Sequence, residues 1–260
     1  MNTSRNQLWR KQVISLIIAV ALVVFTAGNL LAGTISDQAM QAKITDQLQN
    51  EGLLKNNNIN ISVNDQLVTL TGSVASLSER KMVRDAVNSV DKNLMLEDDL
   101  TIADRKISDS QIAEEIQQAI QGNTFYSMYD WITASVVDGV ATLKGYAHEP
   151  YLMQPFIHQA EKTPGVKKVV NDVKVLPASI FDDEIRHQAA DAVYEDPSFE
   201  PYAYDSDVPI HFIVNNGTVW LMGTVTSQID KIRAENLVMM HSEAMGIKNE
   251  LKVASGGATS

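Results

Sequence analysis

The feature that most constrains this chain is an internal repeat. Leu67-Val68-Thr69-Leu70-Thr71-Gly72 corresponds to Val140-Ala141-Thr142-Leu143-Lys144-Gly145 and to Thr218-Val219-Trp220-Leu221-Met222-Gly223, with spacings of 73 and 78 residues on the last glycine. The same two offsets relate the segments ending at Ile102, Val175 and Val253. Two separate blocks sharing both offsets identify three copies of one unit rather than one large domain.

Each copy carries the same order of periodic signals. Apolar residues at i, i+4 spacing come first: Met40, Ile44 and Leu48, then Ile112, Ile116 and Ile120, then Ile185, Ala189 and Val193. That spacing predicts a helix with one buried face. A hairpin follows, with its turn near Asn64-Asp65, at Asp138-Gly139 or at Asn216-Gly217, dipeptides suited to positive φ. A second helix is expected over roughly 76–90, 149–163 and 227–244, and then a short closing strand. The predicted fold class is α+β: three tandem αββαβ modules, each a three-stranded mixed sheet packed on two helices. The boundaries read as 36–103, 107–177 and 180–254, with a disordered tail over 255–260.

Residues 1–33 stand apart. Arg5, Arg10 and Lys11 precede an apolar run from Val13 to Phe25 that softens through Ala32. Basic residues followed by 7–15 apolar ones give the layout of a secretory signal peptide. Counted over 13–32, the segment reaches the length of one membrane-spanning helix. A cleaved signal peptide and a retained inner-membrane anchor are both open. Either one places the bulk of the chain in the periplasm or at the envelope.

Of the 21 basic residues, three lie in that segment, which leaves 18 against 32 acids and a formal charge of −14 on the remainder. Such a body is repelled by phosphate backbones, which argues against nucleic-acid partners. There is no cysteine, so disulfides, thiolate metal sites and a lipidated cysteine are excluded. His148-Glu149 does not extend to H-E-x-x-H, because position 152 is Leu152, and there is no phosphate-binding or nucleophile-elbow motif. With no nucleophile beside an identifiable base, the expectation is no catalytic residue, no metal, no cofactor and no enzymatic activity.

The units resemble the BON domain, the module named for bacterial osmotically inducible and nodulation-related proteins. The middle copy carries the resemblance best, pairing Asp138-Gly139-Val140-Ala141-Thr142-Leu143-Lys144-Gly145 with Gly165-Val166-Lys167-Lys168-Val169-Val170-Asn171-Asp172-Val173-Lys174-Val175. At the position of Gly165 the first copy has Lys92 and the third has Glu243, and Asn171 becomes Asp98 in the first copy. The resemblance implies a non-catalytic envelope protein that contacts membrane phospholipid and supports osmotic or stress tolerance. Chaperone-like binding of unfolded envelope proteins is the alternative it leaves open.

Candidate contact residues lie in the loop between the first helix and the hairpin, where the copies differ most in length. The second loop has Phe125, Tyr126, Tyr129 and Trp131; the third has Phe199, Tyr202 and Tyr204 among three prolines. Aromatic loops of this kind suit a lipid- or peptide-contact surface. The same rings could instead cap a sheet edge or fill the contact between modules. Gly72, Gly145, Gly165 and Gly223 read as structural glycines. Asp182-Asp183-Glu184 reads as solvated charge at a helix start. Asp205 and Asp207 are candidates for weak calcium contact only, since no calcium-loop spacing is present.

Overall fold

The computed structural model describes residues 36–203 and 209–254. The export segment, Tyr204, Asp205, Asp207 and the 255–260 tail lie outside the described residues.

The first module is α1 (36–50), β1 (Asn58–Asn64), β2 (Leu67–Val74), α2 (Leu77–Val90) and β3 (Met95–Ile102). The second is α3 (Asp109–Gln121), β4 (Trp131–Val137), β5 (Val140–Ala147), a 3₁₀ turn over Pro150–Leu152, α4 (Met153–Lys162) and β6 (Lys168–Val175). The third is α5 (Ile180–Tyr194), a 3₁₀ turn over Pro197–Phe199, α6 (Glu200–Ala203), β7 (Ile210–Asn215), β8 (Thr218–Val225), α7 (Gln228–His241), β9 (Gly246–Asn249) and β10 (Lys252–Val253). The described residues divide into two compact units, the first module and the pair formed by the second and third.

In every module the hairpin pairs antiparallel and the closing strand pairs parallel to the hairpin's second strand, which is central. Leu67 faces Met95, Val140 faces Lys168 and Thr218 faces Gly246, so the parallel register is a constant 28 residues. The third closing strand is broken between β9 and β10, but Lys252 still faces Thr224 in that register. The helix anchors behave as their spacing predicts. Ile44 and Leu48, then Ile116 and Ile120, then Ala189 and Val193 are fully buried under the sheets, while Met40 is half-buried. The second core adds Phe156 and Val166, and the third Phe199, Phe212 and Leu221.

The repeat glycines of the central strands have a steric cause. Gly72, Gly145 and Gly223 sit opposite Ile59, Ile132 and Ile210 at φ of 110°, 129° and 115°. A Cβ there would run into the carbonyl oxygen of Asn58, Trp131 or Pro209. Only glycine fits a strand that turns to positive φ against its partner's backbone. Gly165 begins the segment leading into β6 and is buried beside Ile112.

The hairpin turns correct two sequence expectations. The first turn is centred on Asp65-Gln66, one residue later than Asn64-Asp65, with both residues at positive φ (49° and 66°). The second and third turns have glycine at the second position, Gly139 and Gly217. Asp182 is not solvated charge: it is 4% exposed and reaches the tip of its hairpin. Its carboxylate accepts hydrogen bonds from the backbone N–H of Asn216 (2.9 Å) and Gly217 (2.8 Å). In the second module Asp109 does the same for Asp138 (2.6 Å) and Gly139 (3.3 Å). In each case two amide donors take the place of water at the carboxylate. The other side of each tip is held by the closing segment, where Lys167 N–H donates to Gly139 O and Met245 N–H to Gly217 O, both at 2.8 Å.

A second conserved device explains the Asn-to-Asp difference between copies. Asn171, Asn249 and Asp98 each accept the backbone N–H two residues on, at 3.2, 3.2 and 3.1 Å. Asn249 also donates its amide to Lys231 O (2.8 Å). Asp98 has no amide, and at the corresponding helix position Arg80 donates to its carboxylate instead (3.0 Å). The exchange swaps a neutral acceptor–donor for an anion beside a cation and keeps the turn.

Two stability changes follow from the turns. Replacing Gln66 by Gly removes a left-handed side-chain residue and is expected to stabilise the first module by about 1 kcal/mol in urea unfolding. Replacing Asp182 by Ala strands buried N–H groups and is expected to cost the third module about 2–3 kcal/mol. An unchanged unfolding midpoint for Asp182→Ala would show that the clamp carries no stability.

Candidate functional site

The third hairpin differs from the other two in one respect that locates the functional surfaces. β1 and β4 alternate between covered and open positions, whereas β7 is buried along its length up to Val214. Ile210, Phe212 and Val214 face the core of their own module. His211 and Ile213, on the other face, are 2% and 0% exposed. An open sheet edge bearing apolar side chains is a liability that proteins cover. Here the 123–130 loop of the second module supplies part of the cover, with Phe212 N–H donating to Met128 O at 2.7 Å.

That loop is shaped by Asp130, which is fully buried. Its carboxylate accepts from the backbone N–H (3.1 Å) and hydroxyl (2.9 Å) of Ser127 and from the backbone N–H of His148 (3.0 Å). His148 Nδ1 lies 2.8 Å from the same carboxylate. So held, the loop turns Tyr126 and Trp131 onto His211, with ring centroids at 5.4 and 5.1 Å. His211 Nδ1 is 3.2 Å from Ser127 O. Tyr126 also meets Phe156 edge-on, and burial pushes its phenol well above the ordinary value. Tyr129 reaches α5, where its hydroxyl lies 2.9 Å from His187 Nδ1 and the Arg186 guanidinium sits 5.9 Å from its ring centroid. Burial raises its phenol too, and the Asp191 carboxylate adds to the shift.

The aromatic residues singled out in the sequence are therefore divided. Tyr126, Tyr129 and Trp131 pack into the junction between the second and third modules. Phe199 is fully buried in the third core, and Tyr202, 9% exposed, lies against it with centroids 5.5 Å apart. Phe199 offers no open surface, a correction to its reading as a contact residue, and Tyr202 opens only onto a cavity. Their loop folds back as a 3₁₀ turn with Pro197 at its first position, followed by α6. Phe125 alone of the six described rings is exposed, at 57%. Tyr129 and Tyr202 do converge on one cavity of about 300 Å³, which Met128, Ala190, Asp191, Tyr194 and Ala203 complete.

A second surface was not legible as a site. α7 buries Ala234, Leu237 and Val238, yet Ile229, Ile232, Met239 and Met240 lie on its outer side, each more than half exposed. Ile229, Ile232 and Met240 line a shallow groove of about 490 Å³ with Asp196, Arg233, Asn236 and Leu237. The available signal was a helix apolar on both sides, where a surface helix ordinarily has one apolar stripe. Among the described residues no group of His, Asp and Glu converges to hold a metal, and no helix is long and apolar enough to cross a membrane.

The junction predicts coupled stability. Residues 104–254 are expected to unfold in one transition. Trp131→Ala in the second module is expected to speed amide exchange of Phe212 and Val214 in the third by about tenfold or more. Exchange in β7 that ignores the substitution would mean that the modules are energetically separate.

Comparison with known proteins accounts for the repeat. A family model, the BON domain, matches residues 36–103, 108–177 and 182–255. No curated relative reaches a significant match. Among solved structures the chain is similar to CdsD, a structural protein of the type III secretion system of Chlamydia trachomatis. The identity is 14%, over 82% of this chain and 92% of that one, with a TM-score of 0.25. A second structure, the C-terminal domain of CdsD, is 13% identical over 82% of this chain and 96% of that one, again at 0.25. At those scores neither likeness carries an inference. BON domains are associated with phospholipid binding and osmotic-stress proteins. With three matches spanning nearly all of its described residues, the chain belongs to the BON-domain family.

Proposed function

We infer that this protein is a non-catalytic component of the cell envelope that binds phospholipid membrane surfaces and thereby supports envelope integrity under stress. The observation that carries this reading is the outer face of α7. Ile229, Ile232, Met239 and Met240 are 74%, 51%, 62% and 67% exposed, a clustering of large apolar side chains that ordinary soluble surfaces avoid. A helix lying in the headgroup region buries such a face, with affinity that grows with the apolar area inserted. Arg233 lies beside these positions, with its guanidinium paired to Asp196 at 3.2 Å. The charge of −14 behind the face opposes strongly anionic bilayers, so zwitterionic or cation-bridged surfaces fit better. The basic and apolar N-terminal run supports a location outside the cytoplasm.

One observation favours a second reading, a chaperone for unfolded envelope proteins. Three of the exposed residues on and beside α7 are methionines (Met239, Met240 and Met245), and flexible thioether side chains adapt to varied apolar partners.

Liposome flotation tests the first reading. The intact chain is expected to float with zwitterionic vesicles. Joint replacement of Ile229, Ile232, Met239 and Met240 by Ser is expected to reduce the bound fraction at least about tenfold, without loss of fold by circular dichroism. Unchanged flotation of the variant would sink the assignment to α7. No flotation of the wild type, with suppression of client aggregation that the variant loses, would establish the chaperone instead.

A further inference from the structure

The junction cavity is separate from the outer face of α7 and has a chemistry of its own. Three tyrosines (Tyr129, Tyr194 and Tyr202), the carboxylate-bearing Asp191 and the thioether of Met128 line about 300 Å³. We propose that this cavity binds a small organic cation of the alkylated-ammonium class, with the tyrosine rings around the cation and Asp191 as its counter-charge.

The hydroxyl of every one of the three tyrosines is already engaged. Tyr129 Oη lies 2.9 Å from His187 Nδ1. Tyr194 donates to Ile210 O at 2.9 Å. Tyr202 donates to Asp230 at 2.9 Å and accepts from the backbone N–H of Thr226 at 2.8 Å. What the rings have left to offer a ligand is their carbon surface, whose negative quadrupole favours a cation over a neutral group of the same shape. The same hydroxyl bonds fix the rings before any ligand arrives, so little ordering cost is left for binding.

The charge points the same way. Asp191 makes no ion pair among the described residues and acts electrostatically on Tyr129. Two basic side chains lie near the cavity: Arg186, buried, paired with Asp183 and 5.9 Å from the Tyr129 ring centroid, and His187, whose Nδ1 is held at the Tyr129 hydroxyl. Among the residues that line the cavity there is a carboxylate without an ion pair and aromatic carbon, and no basic side chain. Methyl groups on the ligand nitrogen match that lining, because they carry the charge on an apolar surface that costs little to dehydrate. A zwitterion such as a trimethylated amino acid brings its own carboxylate toward Asp191 and fits less well.

Titration of the intact chain, followed by the ring protons of Tyr129, Tyr194 and Tyr202, tests the proposal with defined probes. Tetramethylammonium and choline are expected to give saturable shifts. The neutral isostere 3,3-dimethylbutanol is expected to bind about tenfold more weakly or worse. Asp191 is exposed, so Asp191→Asn leaves the fold intact and is expected to weaken choline at least about fivefold while leaving the isostere unchanged. Tyr129→Leu keeps apolar volume and is expected to weaken the cations selectively as well. Equal affinity for choline and the isostere, or indifference of choline binding to Asp191→Asn, overturns the proposal. Competition with phosphatidylcholine vesicles identifies the source. Displacement of choline assigns the site to a lipid headgroup, and its absence assigns it to a free cation. The quadruple Ser variant of α7 is expected to bind choline normally, so failure of the membrane reading and failure of this one are distinguishable.

Discussion

The approach of two backbones in the centre of each sheet is the constraint that the rest of the fold accommodates. Where Gly72, Gly145 or Gly223 passes its partner strand, the space that a side chain would need is filled by a carbonyl oxygen. The same central strand accepts a parallel partner 28 residues later. Crossover helices of different length and sequence span that interval without altering the register. All three copies keep this geometry, the helix anchors and a backbone link from the closing segment to the hairpin tip, whereas the carboxylate clamp on the tip is seen in the second and third.

Much of the scaffold was legible because it rests on local signals. Helix anchors four residues apart, Asp-Gly and Asn-Gly turns, and glycines at fixed offsets all translate directly into backbone geometry. The exceptions involve partners distant in the chain. Asp182 looks like ordinary acid at a helix start, and only the folded hairpin 34 residues later gives it two amide donors. Gln66 takes a turn position that favours glycine, so the first turn could not be placed by composition.

The functional surfaces were harder to read for the same reason. Aromatic loops marked the right region, but aromatic content does not say whether a ring faces solvent, a neighbouring module or its own core. Trp131 and Tyr126 found His211, a residue 80 or more positions away whose environment nothing local specifies. Phe199 and Tyr202 turned inward through a 3₁₀ bend that the prolines permit without dictating. The outer face of α7 was missed because its apolar residues blend with the buried ones when a helix is read only for an inward stripe.

The cover over β7 has an evolutionary consequence. The repeated unit of this chain is one module long, but the second and third copies pack as one compact unit. A lineage that loses or exchanges one of them exposes a strand with two apolar faces, and so pays with aggregation rather than with a missing activity. Shared cover of this kind ties the second and third modules to each other and not to the first, which is the reverse of the independence that tandem duplication ordinarily provides.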